Sequence, residues 1–322
     1  MNAKVKGFIA GILAAVFYGT NPLGALPLYA DGLTSSTVLF YRYGLAVVMF
    51  SILMLARGEN FRIRWGHAIK LASLGVIFAL SSLTLFLSFH YMDAGIASSI
   101  LFCYPIITAV LMTMFFHERV TWTTTLSITL AVLGIALLYH GDGEANVSKL
   151  GFALVMLSSL LYAMYIVAVN QLNKNIFKLE GPRLRVENRD ETDDFRQVSS
   201  LKFTFWVVLF GWITIVVYAF LAGENIQMLH GVKQWAFATQ LALLPTVLSL
   251  FLMTIAIKNI GSTPAAIMGA LEPVTAVAIG VCLFGEAFTP RLAGGIFLIL
   301  CAVTLIVLHK DKQKQNKDMQ NV

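Results

Sequence analysis

Ten long apolar stretches follow one another along the chain, separated by polar segments. They lie near residues 7–28, 35–56, 68–91, 95–116, 122–140, 150–170, 200–222, 233–257, 261–284 and 290–308. Each has about the 20 residues that a helix needs to cross a hydrocarbon core of about 30 Å. Because every backbone polar group inside a bilayer must be hydrogen-bonded within the protein, the pattern predicts an all-α integral membrane protein with ten transmembrane helices.

The fourth and ninth stretches match each other. A shift of 168 residues lays Pro105 on Pro273 and Glu118 on Glu286, so both stretches keep a spacing of thirteen residues from proline to glutamate. Internal duplication of hydrophobic segments is typical of secondary transporters, whose two halves rock about a site near the bilayer midplane.

The duplication extends to the start of each half. At a shift of 144 residues, Gly7, Phe8 and Tyr18 match Gly151, Phe152 and Tyr162, and Arg42 falls opposite Lys202 at a shift of 160. Five spans per half is an odd number, so the second half enters the membrane with the opposite orientation. The sequence therefore predicts two inverted five-helix repeats, at 1–148 and 149–308. A polar cytoplasmic loop is expected at 171–199 and a basic tail at 309–322.

Composition and charge agree with a lipid environment. The chain is 58% hydrophobic and 12% charged, whereas soluble domains are about 45–50% apolar and about 25% charged. Lysines and arginines number 19 in the segments assigned to the cytoplasm and three outside, which predicts that both termini are cytoplasmic, in the inner membrane of the cell. The pI of about 9.2 is thus a topology signal, and no nucleic-acid partner is expected.

Two charged residues, Arg42 and Glu272, lie well inside predicted spans. A buried ionisable group is costly in a membrane and usually faces a cavity or a partner. Glu272 lies halfway along the ninth span, where it could hold a cationic group of a substrate, carry a coupled proton, or lock two helices together. Arg42 lies about 12 Å from the outer end of its helix, so it could line a cavity, pair with a carboxylate or snorkel to the interface.

Prolines add breaks to the predicted helices. Pro105 and Pro273 leave two backbone carbonyls without their helical donors near mid-membrane, and Pro22 in helix 1 does the same beside Asn21. Such backbone is tolerated at that depth only when it is buried in protein or lines a cavity. Asn21, Tyr18 and Tyr165 are therefore candidate substrate-binding residues, although tyrosines in spans more often serve packing.

The order of these motifs resembles that of a known family, the EamA-like branch of the drug/metabolite transporter superfamily. The resemblance rests on residues 18–21 (Tyr-Gly-Thr-Asn), on residues 41–43 (Tyr-Arg-Tyr) and on the segments 105–118 and 273–286. It implies a permease or exporter of amino acids or similar small metabolites, with a central cavity and alternating access. The polar insert at 171–199 departs from the short connection usual in that family.

An intramembrane enzyme is the alternative. Residues 188–194, Asn-Arg-Asp-Glu-Thr-Asp-Asp, are similar to the acidic clusters that bind Mg²⁺-diphosphate in membrane prenyltransferases. Six acidic and six basic residues balance across 171–199, which favours a solvated loop. The three cysteines show no metal or disulfide spacing, and hydrolase, P-loop and channel-filter motifs are missing from the sequence. No enzymatic activity, cofactor or metal is expected.

Overall fold

The computed structural model describes residues 3–92, 97, 100–116, 121–138, 148–177, 199–284, 290 and 293–305. All regular structure in these ranges is helical. The helices are α1 (Ala3–Tyr18), α2 (Asn21–Ala30), α3 (Ser35–Ala56), α4 (Trp65–Ser88), α5 (Tyr104–Phe116), α6 (Trp122–Leu138), α7 (Lys149–Phe177), α8 (Ser200–Leu221), α9 (Gly231–Ala242), α10 (Ser249–Ile260), α11 (Ser262–Met268), α12 (Leu271–Phe284) and α13 (Ala293–Leu305). A π-helical segment, Leu243–Leu248, joins α9 to α10.

Six of these helical stretches are long and apolar enough to cross a membrane. They are Ala3–Ala30, Ser35–Ala56, Trp65–Ser88, Lys149–Leu172, Ser200–Leu221 and Gly231–Ile260, and shorter apolar helices cover Tyr104–Phe116, Trp122–Gly134 and Ala293–Leu305. Many large apolar side chains point outward, among them Phe220, Leu55 and Phe115. An apolar exterior of this kind suits lipid as the solvent, and the prediction of an all-helical membrane protein is confirmed.

Helix α7 is longer than the sixth apolar stretch. Helix α7 continues through Phe177, seven residues beyond the expected end of the sixth span at 170. Residues such as Gln171, Leu172 and Lys174 have good helix propensity, so the helix extends past the apolar stretch. The remaining residues 178–198 and the tail 309–322 lie outside the described part of the chain.

Three helical breaks occur just before the prolines singled out in the sequence. Turns at Gly19 and Thr20 separate α1 from α2 at Pro22, and turns at 102–103 and 269–270 precede Pro105 and Pro273. Each proline lacks the N–H that would continue the helical ladder, which explains where the breaks fall.

The core is built by long-range packing of four helix pairs. α1 packs along α10, α4 packs along both α7 and α8, and α3 packs along α8. Glycine permits two of these approaches: a Cβ on Gly7 would lie 2.7 Å from Asn259 Cβ, and one on Gly75 would lie 2.7 Å from the Val207 carbonyl. Small residues at such crossings let helix backbones come close, as is usual in membranes.

Candidate functional site

Arg42 lies in the middle of α3 and has no exposed surface. Its Nε donates a hydrogen bond to Thr246 Oγ1 over 2.8 Å. Its guanidinium carbon lies 5.3 Å from the centre of the Phe86 ring and 5.9 Å from that of Tyr18. The side chain therefore points into the protein, and snorkelling to the interface does not occur in this structure.

The outer edge of this guanidinium is unpaired. Neither Nη1 nor Nη2 of Arg42 has a hydrogen-bond partner, although both are buried. Among the described residues, no carboxylate oxygen lies within 4 Å of the Arg42 guanidinium. A surface ion pair joins Lys233 to Asp31 and does not involve Arg42. A buried cation without a counter-charge is costly, so the unpaired Nη1 and Nη2 of Arg42 require an explanation.

Glu272 lies in the first turn of α12, the helix that follows the break at 269–270 in the ninth span. The residue is 8% exposed. The Tyr104 hydroxyl donates a hydrogen bond to its Oε1 over 3.4 Å. Gly269 makes this approach possible, because a Cβ there would overlap the Tyr104 hydroxyl. The sequence placed Glu272 in a span, and the structure buries it against a tyrosine of the fourth.

A cluster of buried tyrosines connects the two charged residues. The Tyr162 ring lies 4.8 Å from that of Tyr104 and stacks on that of Tyr18, with 6.0 Å between centres. Tyr165 lies parallel to Tyr162 at 6.3 Å and packs on Phe78 at 5.1 Å. Tyr18 and Tyr165, both singled out in the sequence, thus share one cluster with Arg42 and Glu272.

Asn21 lies at the break in the first span and is 5% exposed. It begins α2, with Pro22 in the first turn where a missing N–H does no harm. Both polar atoms of its side chain, Nδ2 and Oδ1, are buried without a hydrogen-bond partner. Buried amides in native proteins are nearly always hydrogen-bonded, so Asn21 is a second buried polar side chain, after Arg42, whose unpaired atoms are unusual.

The carbonyls freed by proline find partners in three different ways. The Leu101 carbonyl, four residues before Pro105, accepts a hydrogen bond from Ser159 Oγ at 2.9 Å. The Gly269 carbonyl accepts from the backbone N–H of Glu272 at 2.8 Å. The Leu241 carbonyl, four residues before Pro245, accepts from Thr246 Oγ1 at 2.8 Å. The breaks at Pro105 and Pro273 are therefore satisfied internally.

Sequence inspection missed three members of this cluster: Tyr104, Tyr162 and Thr246. In the sequence, Tyr162 stands out only as the repeat partner of Tyr18. Tyr104 could have been found from the same alignment, because it lies one residue before Pro105 as Glu272 lies one residue before Pro273. Nothing in the sequence marks Thr246, whose contact with Arg42 depends on how α3 packs against the π-helical segment.

A second polar contact lies toward the end of α7 that leads to residues 178–198. Asn170 Nδ2 donates to Ser262 Oγ at 3.1 Å, and both residues are buried. The side chains of Asn170 and Gln171 also approach the Met112 sulfur, at 3.9 and 3.8 Å. Helices α7, α11 and α5 are thus joined at this end of the molecule.

Two other places do not qualify as the site. A groove of about 530 Å³ between α5 and α6 is lined almost wholly by apolar atoms, with Met114 and Leu133 facing outward. In the described ranges, no group of three or more His, Cys, Asp or Glu residues is placed to hold a metal ion. The acidic cluster at 188–194 lies outside those ranges.

Comparison with known proteins gives consistent results. The sequence model of the EamA-like transporter family matches residues 5–140 and 194–308. A relative in Archaeoglobus fulgidus named an uncharacterized transporter is 23% identical over 91% of this chain and 93% of its own length. A second from the same organism is 29% identical over 50% of this chain and 56% of its own. The uncharacterized transporter YdfC of Bacillus subtilis is 24% identical over 64% and 60%.

The chain spans less than two thirds of the length of the latter two relatives. A solved structure described as a crystal structure of a protein superposes with a TM-score of 0.74 at 15% identity, covering 96% of this chain and 99% of that one. At that identity the likeness concerns the fold.

Proposed function

This chain belongs to the EamA-like transporter family. On that premise we propose that it is a secondary transporter that crosses the membrane several times and moves amino acids or similar small metabolites by alternating access. The observation that carries the proposal is the pair of buried ionisable side chains, Arg42 and Glu272, in one aromatic cluster. Intramembrane ionisable residues usually mark a substrate or ion pathway.

The proposed mechanism requires ten helices arranged as two inverted repeats, and a repeated hydrogen bond supports this arrangement. Ser249 Oγ donates to the Ala14 carbonyl at 2.9 Å, and Ser81 Oγ donates to the Ser158 carbonyl at 3.0 Å. Ser249 follows Ser81 by 168 residues and Ser158 follows Ala14 by 144, the two shifts that relate the halves of the sequence.

Glycine contacts repeat in the same way. A Cβ on Gly7 would meet Asn259 and Ile260, and a Cβ on Gly151 would meet Tyr91 and Met92. Asn259 and Ile260 follow Tyr91 and Met92 by 168 residues, and Gly151 follows Gly7 by 144. Such matched contacts are expected when each half packs its first helix on the third helix of the other half.

In this proposal the tyrosine cluster is the centre of the substrate site. Arg42, Asn21 and Tyr18 come from the first half, whereas Glu272 and Tyr165 come from the second. Glu272 binds either a cationic group of the substrate or a coupled proton. Movement of one half relative to the other would then change the access of both charges to each side of the membrane.

Orientation completes the proposal. The bias of 19 lysines and arginines to three supports our proposal that both termini lie in the cytoplasm and that the protein lies in the cytoplasmic membrane. With that orientation the Asn170–Ser262 contact lies on the cytoplasmic side and the Lys233–Asp31 ion pair on the outer side.

Reconstituted vesicles provide the direct test. Purified protein in liposomes free of ATP and added metal, with unlabelled amino acid outside, should release preloaded radiolabelled amino acids faster than protein-free liposomes do. A pH gradient should change the rate if a proton is coupled. A panel of amino acids and other small carboxylates and amines is needed because the substrate class is broad. Flux equal to that of protein-free liposomes for every member would contradict the proposal.

A further inference from the structure

We propose that the Nη1–Nη2 edge of Arg42 binds the carboxylate of the transported molecule, so that the substrates of this protein are small monocarboxylates, including zwitterions. The inference rests on the proposed transport function and adds to it the chemical group that the substrate must carry. Three observations support it: the fixed orientation of the guanidinium, its missing counter-charge and the unpaired amide of Asn21.

The guanidinium is oriented by a directional chain of hydrogen bonds. Thr246 Oγ1 has one proton, which it donates to the Leu241 carbonyl, so its oxygen must accept from Arg42 Nε. That carbonyl is available because Pro245 cannot donate to it. With Nε held in this way, Nη1 and Nη2 remain as a planar pair of donors, which is the geometry that a carboxylate accepts with both oxygens.

The surroundings of this edge lack negative charge. The rings of Tyr18, Tyr43 and Phe86 lie 5.3–6.0 Å from the guanidinium carbon and offer cation–π attraction. The Tyr18 hydroxyl approaches Arg42, but it makes no hydrogen bond of normal geometry with Nη1 or Nη2, and a neutral hydroxyl brings no negative charge. The acid of the cluster, Glu272, is bonded to Tyr104 and makes no ion pair with Arg42. A ligand that brings one negative charge would therefore relieve the cost of the buried cation.

One charge fits better than two. Arg42 and Glu272 are the buried Lys, Arg, Asp and Glu side chains of the described residues, so a single cation faces the ligand. A phosphate dianion would remain half compensated, whereas a monocarboxylate is neutralised. The Asn21 side chain approaches the same Tyr18 hydroxyl as Arg42 does, and its amide adds one donor and one acceptor for the remaining polar groups of such a ligand.

Paired ligands test the carboxylate directly. Thermal unfolding of the purified protein in detergent would be followed with L-phenylalanine, L-threonine, pyruvate and benzoate, each against its carboxamide. We expect at least one acid to raise the unfolding midpoint in a saturable manner while its amide does not. Loss of a charged, two-pronged hydrogen bond should weaken that binding by at least about tenfold in Arg42→Gln.

Matched variants separate the binding role from a structural one. Arg42→Lys keeps the charge without the planar fork and should also bind the acid more weakly than the wild type. Lys258→Gln removes a cation that lies over the Phe203 ring, away from the cluster, and should bind the acid as the wild type does. Without ligand, Arg42→Met should unfold at a midpoint no lower than that of the wild type, because the removed cation has no counter-charge.

Four binding results would each overturn the proposal. They are that no acid stabilises the protein, that an amide stabilises it equally, that chloride alone reproduces the effect, or that Arg42→Gln binds the acid as the wild type does. A lower ligand-free midpoint of Arg42→Met would assign Arg42 to the structure instead. Binding that depends on Arg42 without flux in liposomes would leave the anion site intact and refute transport. Flux that survives Arg42→Gln would refute the anion site and leave the transport function intact.

Discussion

Tyr104 donates a hydrogen bond to Glu272, the residue that occupies its own position in the other half of the chain. The two are 168 residues apart, as Pro105 and Pro273 are, and their side-chain oxygens lie 3.4 Å apart. Tyr18 and Tyr162, related by the shift of 144, also stack on each other. Residues related by a two-fold axis can touch only beside that axis, so both pairs mark where an axis between the proposed repeats would run.

Glu272→Gln should fold and reach the membrane but lose most transport, because it keeps the shape of the side chain and removes its charge. Flux in liposomes and thermal unfolding of the same preparation would be measured together. Glu59→Gln is the control, since Glu59 accepts a hydrogen bond from Ser199 outside the cluster. If proton coupling operates through Glu272, the variant also loses the response to a pH gradient.

A marked loss of stability in Glu272→Gln would instead indicate a structural lock. The geometry argues against a lock with Arg42, since no ion pair joins the two side chains within the described residues. Wild-type flux together with wild-type stability would rule out both roles for Glu272 and leave Arg42 and Asn21 as the candidate substrate-binding residues of the cluster.

Gly269→Ala should destabilise the protein by about 1–3 kcal/mol, the usual cost of overpacking a close contact. An added Cβ would overlap the Tyr104 hydroxyl and lie 2.8 Å from the ring carbon that bears it. Gly294→Ala is a matched control, because the nearest atom to its Cβ would be Leu137 Cδ1 at 3.9 Å. Thermal unfolding measures both. Equal midpoints for the two variants would mean that the Tyr104–Glu272 approach is not tight.

A disulfide between positions 170 and 262 should stop transport. Asn170 and Ser262 join α7 to α11, and opening toward the cytoplasm requires that contact to separate under the proposed mechanism. Asn170→Cys and Ser262→Cys would be combined in a background without Cys103, Cys282 and Cys301. Oxidation should abolish flux and reduction should restore it, whereas oxidation of either single-cysteine variant should have no effect. Undiminished flux by the crosslinked protein would exclude this contact as a gate.

Topology can be tested with cysteines and an impermeant thiol reagent. Cysteines at Glu144 and Met228 should react in intact cells, whereas cysteines at Glu180 and Lys314 should react only after the cells are opened. Met228 is 76% exposed and avoids Gly231, whose φ of +74° does not suit a side chain. Reaction of all four in intact cells would contradict cytoplasmic termini.

Replacement of residues 178–195 by a Gly/Ser linker should leave transport largely intact. The 171–199 insert is charge-balanced and unlike the helices that it joins, so it is expected to contribute little to the buried core. Helix α7 runs through Phe177, and the replacement therefore starts after that residue. Protein that folds normally but does not transport would make the insert a gate or metal site.

The sequence was informative about the helices because lipid leaves few alternatives. Apolar length predicted the helices, six of which are long enough to cross a membrane in the described residues, and proline chemistry predicted the breaks beside Pro22, Pro105 and Pro273. The π-helical segment at Pro245 was missed, since proline alone does not say whether a helix will kink or widen by one residue.

Side-chain partners were harder to predict. Arg42 meets Thr246 from 204 residues away, and that contact depends on the rotation and depth of two packed helices, which apolar patterns specify only coarsely. The Tyr104–Glu272 contact could have been found, because near a two-fold axis the repeat alignment itself brings equivalent positions together.

The unpaired guanidinium also bears on the empty carrier. If the ligand supplies the missing negative charge, a carrier that returns without cargo must move Arg42 through the closed state with its Nη edge uncompensated. A carrier that returns with another carboxylate avoids that barrier. The chemistry of this one side chain therefore favours exchange of one acid for another over one-way flux, so that the gradient of a plentiful carboxylate could drive the movement of a scarce one.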